Sequence, residues 1–335
     1  MEDFTELINY AKKIAAETNK VIYELVSGNP KLLYDASLHL IKAGGKRLRP
    51  LATVLGGRLF GLKEDIGVRA GAAVELLHNF TLVHDDIMDK DEFRRGVPTV
   101  HKLWGEDIAI LAGDLLFSKA FEALLKLTNY DIDYEAIIKA LKELCWASVT
   151  VAEGQTLDLS LSKLEYVELN DYIEMVYKKT AALFKASLCI GAILAGASNS
   201  ELSKLADYAV NVGIAFQIRD DELGLVADEK KLGKPVYSDL REGKKTVLVI
   251  YALSKASEGE RKFLLSVLGN DKATKDELRR AADLILSLGA LDYSNKLASE
   301  YLKKGLEALN SVNEVDREAK NLLRKLALFV AERQY

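Results

Sequence analysis

Proline interrupts this chain in only four places, and their positions leave room for little except long helices. Pro30, Pro50, Pro98 and Pro235 all stand at breaks in the apolar periodicity or in a helix's first turn, where a missing amide hydrogen is not needed. Elsewhere apolar residues recur three and four apart through Phe4 to Leu25, Val68 to Met88, Ile108 to Leu127, Tyr134 to Leu161, Leu169 to Leu194 and Leu202 to Val226. Strand-like alternation is scarce, so the predicted fold class is all-α. The run from Glu201 to Val226 carries Ala206, Ala209, Val210, Gly213, Ile214 and Gln217, a small-residue face suited to close helix packing or to a ligand cavity. Beyond Ala252 the charged amphipathic segments read as a surface-covering tail. The chain is longer than one core usually needs, yet no Pro/Gly/Ser-rich linker, composition break, low-complexity tract or fixed-period repeat divides it. Residues 1–335 are expected to form a single domain.

With 49% apolar residues and a formal net charge of −4, the chain can bury a large core and is no electrostatic nucleic-acid binder. Any cationic site must be local. Cys145 and Cys189 are too few for a disulfide framework or a zinc site, and read as buried small hydrophobes in a reducing cytoplasm. The acidic, amphipathic start MEDFTELINYAKK lacks the basic flank and apolar run of a secretory signal, and the apolar stretches are too short or interrupted to cross a bilayer. A cytoplasmic protein with no transmembrane segment is the expectation.

Two aspartate-rich segments carry the chemistry: LVHDDIMDKDEFRRG, with Asp85, Asp86 and Asp89, and FQIRDDELGLVADEKKLGKP, with Asp220 and Asp221. On a helix a residue and its fourth successor share a face, so Asp85 and Asp89 can turn to one ion; without it they repel. Carboxylates with no His or Cys beside them suit a hard cation, and with a phosphate ligand the expected ion is Mg²⁺, which needs only one or two protein carboxylates per ion. Each segment leads into cations, Arg94 and Arg95 after the first and Lys234, Lys244 and Lys245 after the second. Metal and protein cations together would clamp a polyanion such as diphosphate. Upstream, KAGGKRLRP places Lys46, Arg47 and Arg49 after Gly44 and Gly45, a phosphate-binding type of turn without Walker A spacing. Two cationic groups and two acidic motifs suggest two diphosphate substrates, one held through metals and one directly.

In this order, GGKRLRP, ELLHNFTLVHDDIMDKDEFRRGVPTVH, GQTLDL, KKTAALF and FQIRDDELGLVADEKKLGKPVYSDLREGKKT resemble the trans-isoprenyl diphosphate synthases, most closely the archaeal-type short-chain geranylgeranyl diphosphate synthases. The resemblance runs through most of the chain. It implies an all-α bundle around a deep central cavity, a homodimer, and two or three Mg²⁺ per active site. It further implies that Asp85, Asp89 and Asp220 coordinate Mg²⁺ bridging an allylic diphosphate, with Asp86 and Asp221 in support. Arg94, Lys179, Lys234 and Lys244 would grip that diphosphate. Isopentenyl diphosphate would lie against Lys46, Arg49, His78 and Arg95, with Gly45 allowing close approach. Thr180 and Gln217 would place oxygens near the developing allylic cation. His84, Asp91, His101 and Asp228 are given no role.

The implied reaction is ionisation, head-to-tail condensation and proton loss, passing through geranyl and farnesyl to geranylgeranyl diphosphate. In this family the bulk four and five residues before the first aspartate helps set chain length; here these are Thr81 and Phe80, with Leu77 a turn earlier. Helical rise puts Phe80 about 7.5 Å along the axis from Asp85, although Thr81 is nearer in azimuth. Farnesyl or farnesylgeranyl diphosphate is the alternative product. A terpene cyclase would need no second diphosphate site, so GGKRLRP and Arg95 argue against it; a non-catalytic subunit would be expected to lack ligands present here. One departure stands out: Gly224 occupies the place of a third aspartate found in many members, and Glu222, two residues from Asp220, falls on another face.

Overall fold

A computed structural model gives the structure of the chain, described over residues 3–226 and 237–331. Lys234, Pro235 and Asp228 lie outside the described residues. Helices α1 (Thr5–Leu25), α2 (Lys31–Lys42), α3 (Leu48–Arg58) and α4 (Glu64–Met88) are followed by a hairpin of β1 (Phe93–Arg94) and β2 (Val97–Pro98). Then come α5 (Val100–Trp104), α6 (Glu106–Leu125), α7 (Tyr134–Leu161), α8 (Leu169–Val176), α9 (Ala182–Leu194) and α10 (Asn199–Val226). Further helices span Ser238–Arg241, Val247–Lys255, Glu258–Val267, Lys275–Ser287, Ala290–Asn310 and Arg317–Ala331. The hairpin is the only sheet among the described residues, so the fold class is all-α.

Local chemistry explains the breaks. Pro30 precedes α2 and Pro50 sits in the first turn of α3, where its missing N–H has no intrahelical partner to lose. The run from Leu169 to Leu194 is not one α-helix, because Tyr177–Ala181 forms a π-helical turn between α8 and α9. The chain stays helical on both sides of such a turn, and each flank keeps apolar residues three and four apart, so a pattern reading runs across it.

By contact the described chain divides into two compact units. Among the described residues one comprises 3–148, 183–209 and 307–326; the other comprises 149–182, 210–226, 237–306 and 327–331. Both draw on separated segments, so this is not a tandem pair of domains. In the first unit α4 is buried on nearly every side from Ile66 to Leu77, and Leu76 and Leu77 are fully enclosed. Each such leucine contributes roughly 1.5–3 kcal/mol on transfer from water. In the second unit Tyr172, Val176, Ile214 and Ile218 pack with Val247, Leu248, Leu264, Leu278 and Ile285.

Two expectations change. The segments beyond Ala252 are not a covering tail: Leu264, Leu278 and Ile285 are core of the second unit, and Leu322, Leu323 and Leu326 are buried in the first, where Tyr208 donates to the Leu323 carbonyl (2.8 Å). Their amphipathic stripes are what builds those cores. Cys189 is buried, and burial pushes its thiol up to about 12, but Cys145 is exposed. The inward stripe of α7 runs through Ile137, Ala140, Leu144, Ala147 and Val151, and Cys145 lies about 100° round the helix from Leu144. No described helix is long and apolar enough to cross a membrane.

Candidate active site

Asp85 and Asp86 occupy the last turn of α4, and Asp89 caps it, its amide still donating to the Asp85 carbonyl at 2.8 Å, so the expected four-residue register holds. This is the negative end of the helix dipole, where clustered carboxylates destabilise. Compensation comes from Arg94, whose Nε donates to Asp86 Oδ1 and whose Nη2 lies 3.5 Å from Asp91 and 3.9 Å from Asp85. Asp86 is buried; burial pushes it up to about 6 against the pull of Arg94, and its Oδ2 has no hydrogen-bond partner. Asp85 is the more accessible of the two, with 19% of its side chain exposed. A paired, inward Asp86 beside an accessible Asp85 separates a supporting carboxylate from one that can meet a ligand.

Arg94 and Arg95 are aimed by the hairpin. Arg95 (φ 55°) and Gly96 (φ 77°) form its two-residue turn with both φ values positive, the pairing that matches strand twist in tight hairpins. Arg95 Nη1 donates to the carbonyls of Leu40 and Gly44, at and just beyond the end of α2, where unpaired carbonyls and the dipole favour a cation. Gly45 (φ 136°) lies beneath: an added Cβ would come within 2.6 Å of Arg47 Nη1 and 3.0 Å of Arg95 Cζ.

The arginines of KAGGKRLRP divide their work. Arg47 is buried, donating to Asn19 Oδ1 (2.9 Å), the Gly44 carbonyl (2.9 Å), the Ile41 carbonyl (2.6 Å) and Glu75 Oε1 (3.1 Å). It braces the fold. Arg47→Ala strands the buried Glu75 and is expected to cost about 3–5 kcal/mol in equilibrium denaturation; a loss below about 1 kcal/mol would show that Asn79, which also donates to Glu75 Oε1 (2.9 Å), satisfies it alone. Arg49, by contrast, reaches His78 Nε2 at 3.1 Å and keeps a buried Nε without a partner. Arginine only donates, so His78 Nε2 is the acceptor and its proton resides on Nδ1. Burial, then the charges of Arg49 and Arg95, hold His78 well below the usual histidine range, and it is neutral at physiological pH. Burial and Arg47 push Arg95 down to about 10. Lys46 is exposed at the same turn.

Phe80 packs edge-on against His84 (4.8 Å) and Phe117 of α6 (5.1 Å), and Phe117 lies 5.0 Å from Phe121. Leu77 is fully buried, and Thr81 returns its hydroxyl to the His78 carbonyl (2.8 Å). His84, given no role, packs over Gly113 and contacts the Ile110 carbonyl at 3.1 Å.

In the second unit the π-helical turn carries Lys179 and Thr180. It presses on Gly154, where any Cβ would collide with the Lys178–Lys179 backbone. Lys179 Nζ pairs with Asp158 of the GQTLDL segment. Thr180 Oγ1 donates to Gln217 Oε1 (2.8 Å), Gln217 Nε2 to Asp221 Oδ1 (2.8 Å), and the buried Tyr172 hydroxyl to Asp221 Oδ2 (2.7 Å). Burial, then the charge of Asp239, raises Asp221 to about 8. Asp220 is exposed, so the two neighbours differ as Asp85 and Asp86 do. Glu222 turns away, accepting from Arg219 (2.7 Å) and Ser294 (2.6 Å). Lys244 Nζ stands 2.6 Å from Glu242 and 3.8 Å from Asp239, whereas Lys245 Nζ is spent on the Ser162 and Gly243 carbonyls.

Among the described residues no three acidic, histidine or cysteine side chains are gathered as a complete metal cage. For an ion that keeps its waters and takes phosphate oxygens, one or two carboxylates suffice: in the first unit the accessible Asp85 beside the partnerless Asp86 Oδ2 suits such a group, and in the second unit the exposed Asp220 does.

Residues 30–285 match the polyprenyl synthetase family, a span reaching into both units. The chain belongs to that family. As a member it is a prenyltransferase of isoprenoid biosynthesis. It is 46% identical over 326 residues to a geranylgeranyl diphosphate synthase of Sulfolobus acidocaldarius, covering 97% of this chain and 98% of the relative. It is 45% identical over 314 residues to a geranylfarnesyl diphosphate synthase of Aeropyrum pernix, covering 93% and 98%. A polyprenyl synthase from Caulobacter crescentus CB15, solved with calcium and isoprenyl diphosphate, superposes with a TM-score of 0.90 at 36% identity, covering 99% of this chain and 98% of that one.

Four residues that contact the expected ones escaped the sequence reading, Glu75 in the first unit and Asp158, Tyr172 and Asp239 in the second. Asp158 had a signal in GQTLDL, and Glu75 was a lone acid on an apolar helix, but Tyr172 and Asp239 carried none: each gains its place through a contact with a distant segment.

Proposed function

We propose that the chain condenses isopentenyl diphosphate head to tail with allylic diphosphates in an Mg²⁺-dependent reaction that ends at geranylgeranyl diphosphate. The observation that carries this reading is the convergence of Arg49, Arg94 and Arg95 with the neutral His78 and the carboxylates ending α4. That arrangement fits an anion and its counter-cations side by side. Asp85, Asp89 and Asp220 would hold the metal, which when bound stabilises charge growing on the departing diphosphate by several kcal/mol.

The chain's own residues supply the rest. Arg94, Lys179 and Lys244 exchange or extend their carboxylate pairs to grip the allylic diphosphate, and Lys234, outside the described residues, is assigned to the same diphosphate from the sequence. Lys46, Arg49, His78 and Arg95 hold isopentenyl diphosphate directly, His78 uncharged and oriented by Arg49. Asp86 and Asp221 hold their neighbours in place through Arg94, Gln217 and Tyr172. The allylic C–O bond breaks, its electron pair leaving with diphosphate, while the Thr180 and Gln217 oxygens face the cation. The isopentenyl double bond then forms the new C–C bond, and the proton lost goes to the released diphosphate. Excluding water protects the cation from hydrolysis.

Incubating the purified protein with isopentenyl diphosphate, Mg²⁺ and each of the dimethylallyl, geranyl and farnesyl primers tests this; a twenty-carbon product is expected. The geranylfarnesyl synthase among the relatives makes a twenty-five-carbon endpoint the second reading. No product from any primer would overturn the enzyme reading in favour of a non-catalytic subunit.

The whole of residues 1–335 acts as one synthase domain in this reading, and as a homodimer. Exposed Leu103, Ile110, Leu111, Leu125 and Ile138, all in the first unit, supply apolar surface for a second copy. Sedimentation velocity should find a dimer that Leu111→Glu shifts to monomer; an unchanged sedimentation coefficient in the variant would remove α6 from the interface.

A further inference from the structure

The glycine at position 224 leads to an acid outside both aspartate motifs. On α10 it follows Asp220 by four residues and Asp221 by three, so a side chain there would share their face. A Cβ built on Gly224 would stand 2.7 Å from Asp239 Oδ2, and the Asp239 carboxyl is all it would meet within 4 Å among the described residues. Asp239 belongs to the short helix Ser238–Arg241, entered through Tyr237 in the left-handed region (φ 64°), a conformation unfavourable for a bulky aromatic. Left-handed backbone at Tyr237 therefore sets the Asp239 carboxylate against position 224, on the Asp220 face of α10, with Lys244 Nζ 3.8 Å from it.

We propose that Asp239 supplies the third carboxylate of the second aspartate motif, its side chain filling the space that glycine leaves at position 224. It is a positioning residue for the metal-bound diphosphate, and the proposal rests on the Mg²⁺-dependent reading above. An aspartate introduced at 224 alone would crowd Asp239. With Asp239 neutralised, the same aspartate would take its place.

The test is Mn²⁺ affinity in the presence of inorganic diphosphate, read by the loss of the free-ion electron paramagnetic resonance signal. Asp239→Asn is expected to weaken binding roughly ten- to a hundredfold. Asp239→Ser removes the carboxylate independently, and thermal melting checks the fold of each variant. The double variant Gly224→Asp/Asp239→Asn should regain most of the affinity, with Mg²⁺-dependent turnover following. Unchanged Mn²⁺ affinity in folded Asp239→Asn and Asp239→Ser would overturn the proposal, as would a loss that the second aspartate fails to rescue. If the unsubstituted protein itself takes up no Mn²⁺ with diphosphate, the metal-dependent reading fails instead.

Discussion

Asp85→Ala is expected to lower turnover by about three orders of magnitude or more while leaving the fold intact. Comparable losses follow removal of a single group that stabilises transition-state charge, and a metal-directed carboxylate acts on a larger charge. The site favours a clean result. Asp85 is accessible, and Asp86, not Asp85, carries the close ion pair with Arg94, so truncation leaves that pair and the end of α4 in place. Steady-state turnover with a farnesyl primer, beside a thermal melt, makes the comparison. A drop of less than about tenfold in a folded variant would show that the ion is held elsewhere. Asp86→Ala should behave differently, losing stability as well as rate, because Arg94 would be left short of its buried partner.

Phe80→Ala is expected to move the main product from twenty carbons to twenty-five or beyond. The ring belongs to an aromatic stack that continues through Phe117 to Phe121, so removing it opens space directed at α6 instead of letting a neighbour collapse inward. Aromatic side chains are poor at filling such a gap without changing rotamer. Because Phe80 is only partly buried, the stability loss should fall below the roughly 3–5 kcal/mol of a fully enclosed phenylalanine. Chromatographic separation of dephosphorylated products gives the answer. An unchanged twenty-carbon product would make Phe80 ordinary packing, and a shift seen only in Phe117→Ala would move the floor onto α6.

Much of this protein was legible as text. Helical periodicity located α1, α4, α7 and α10 to within a few residues, because that pattern records one local fact, which face of a helix avoids water. The aspartate spacing was equally local, and Asp85 and Asp89 keep the register the spacing implied. What failed was also physical. The π-helical turn at Tyr177–Ala181 joins two helices that each keep their own apolar spacing, so Leu169 to Leu194 read as one periodic run. Arg47 and Arg49 look interchangeable in GGKRLRP, yet one is consumed by Asn19, Ile41, Gly44 and Glu75 while the other faces His78.

The chain's order of residues alone determined the all-α class, the two acidic motifs, the glycine turn and the cations that follow each motif, since all of these depend on neighbours within a few positions. Only the tertiary structure decided which carboxylates turn inward, which arginine braces the fold, that Tyr172 holds Asp221, and that Asp239 comes to rest against Gly224. Those are contacts between segments up to tens of residues apart, and no short-range pattern encodes the partner that a side chain meets when burial, charge and strain across the whole fold are balanced together.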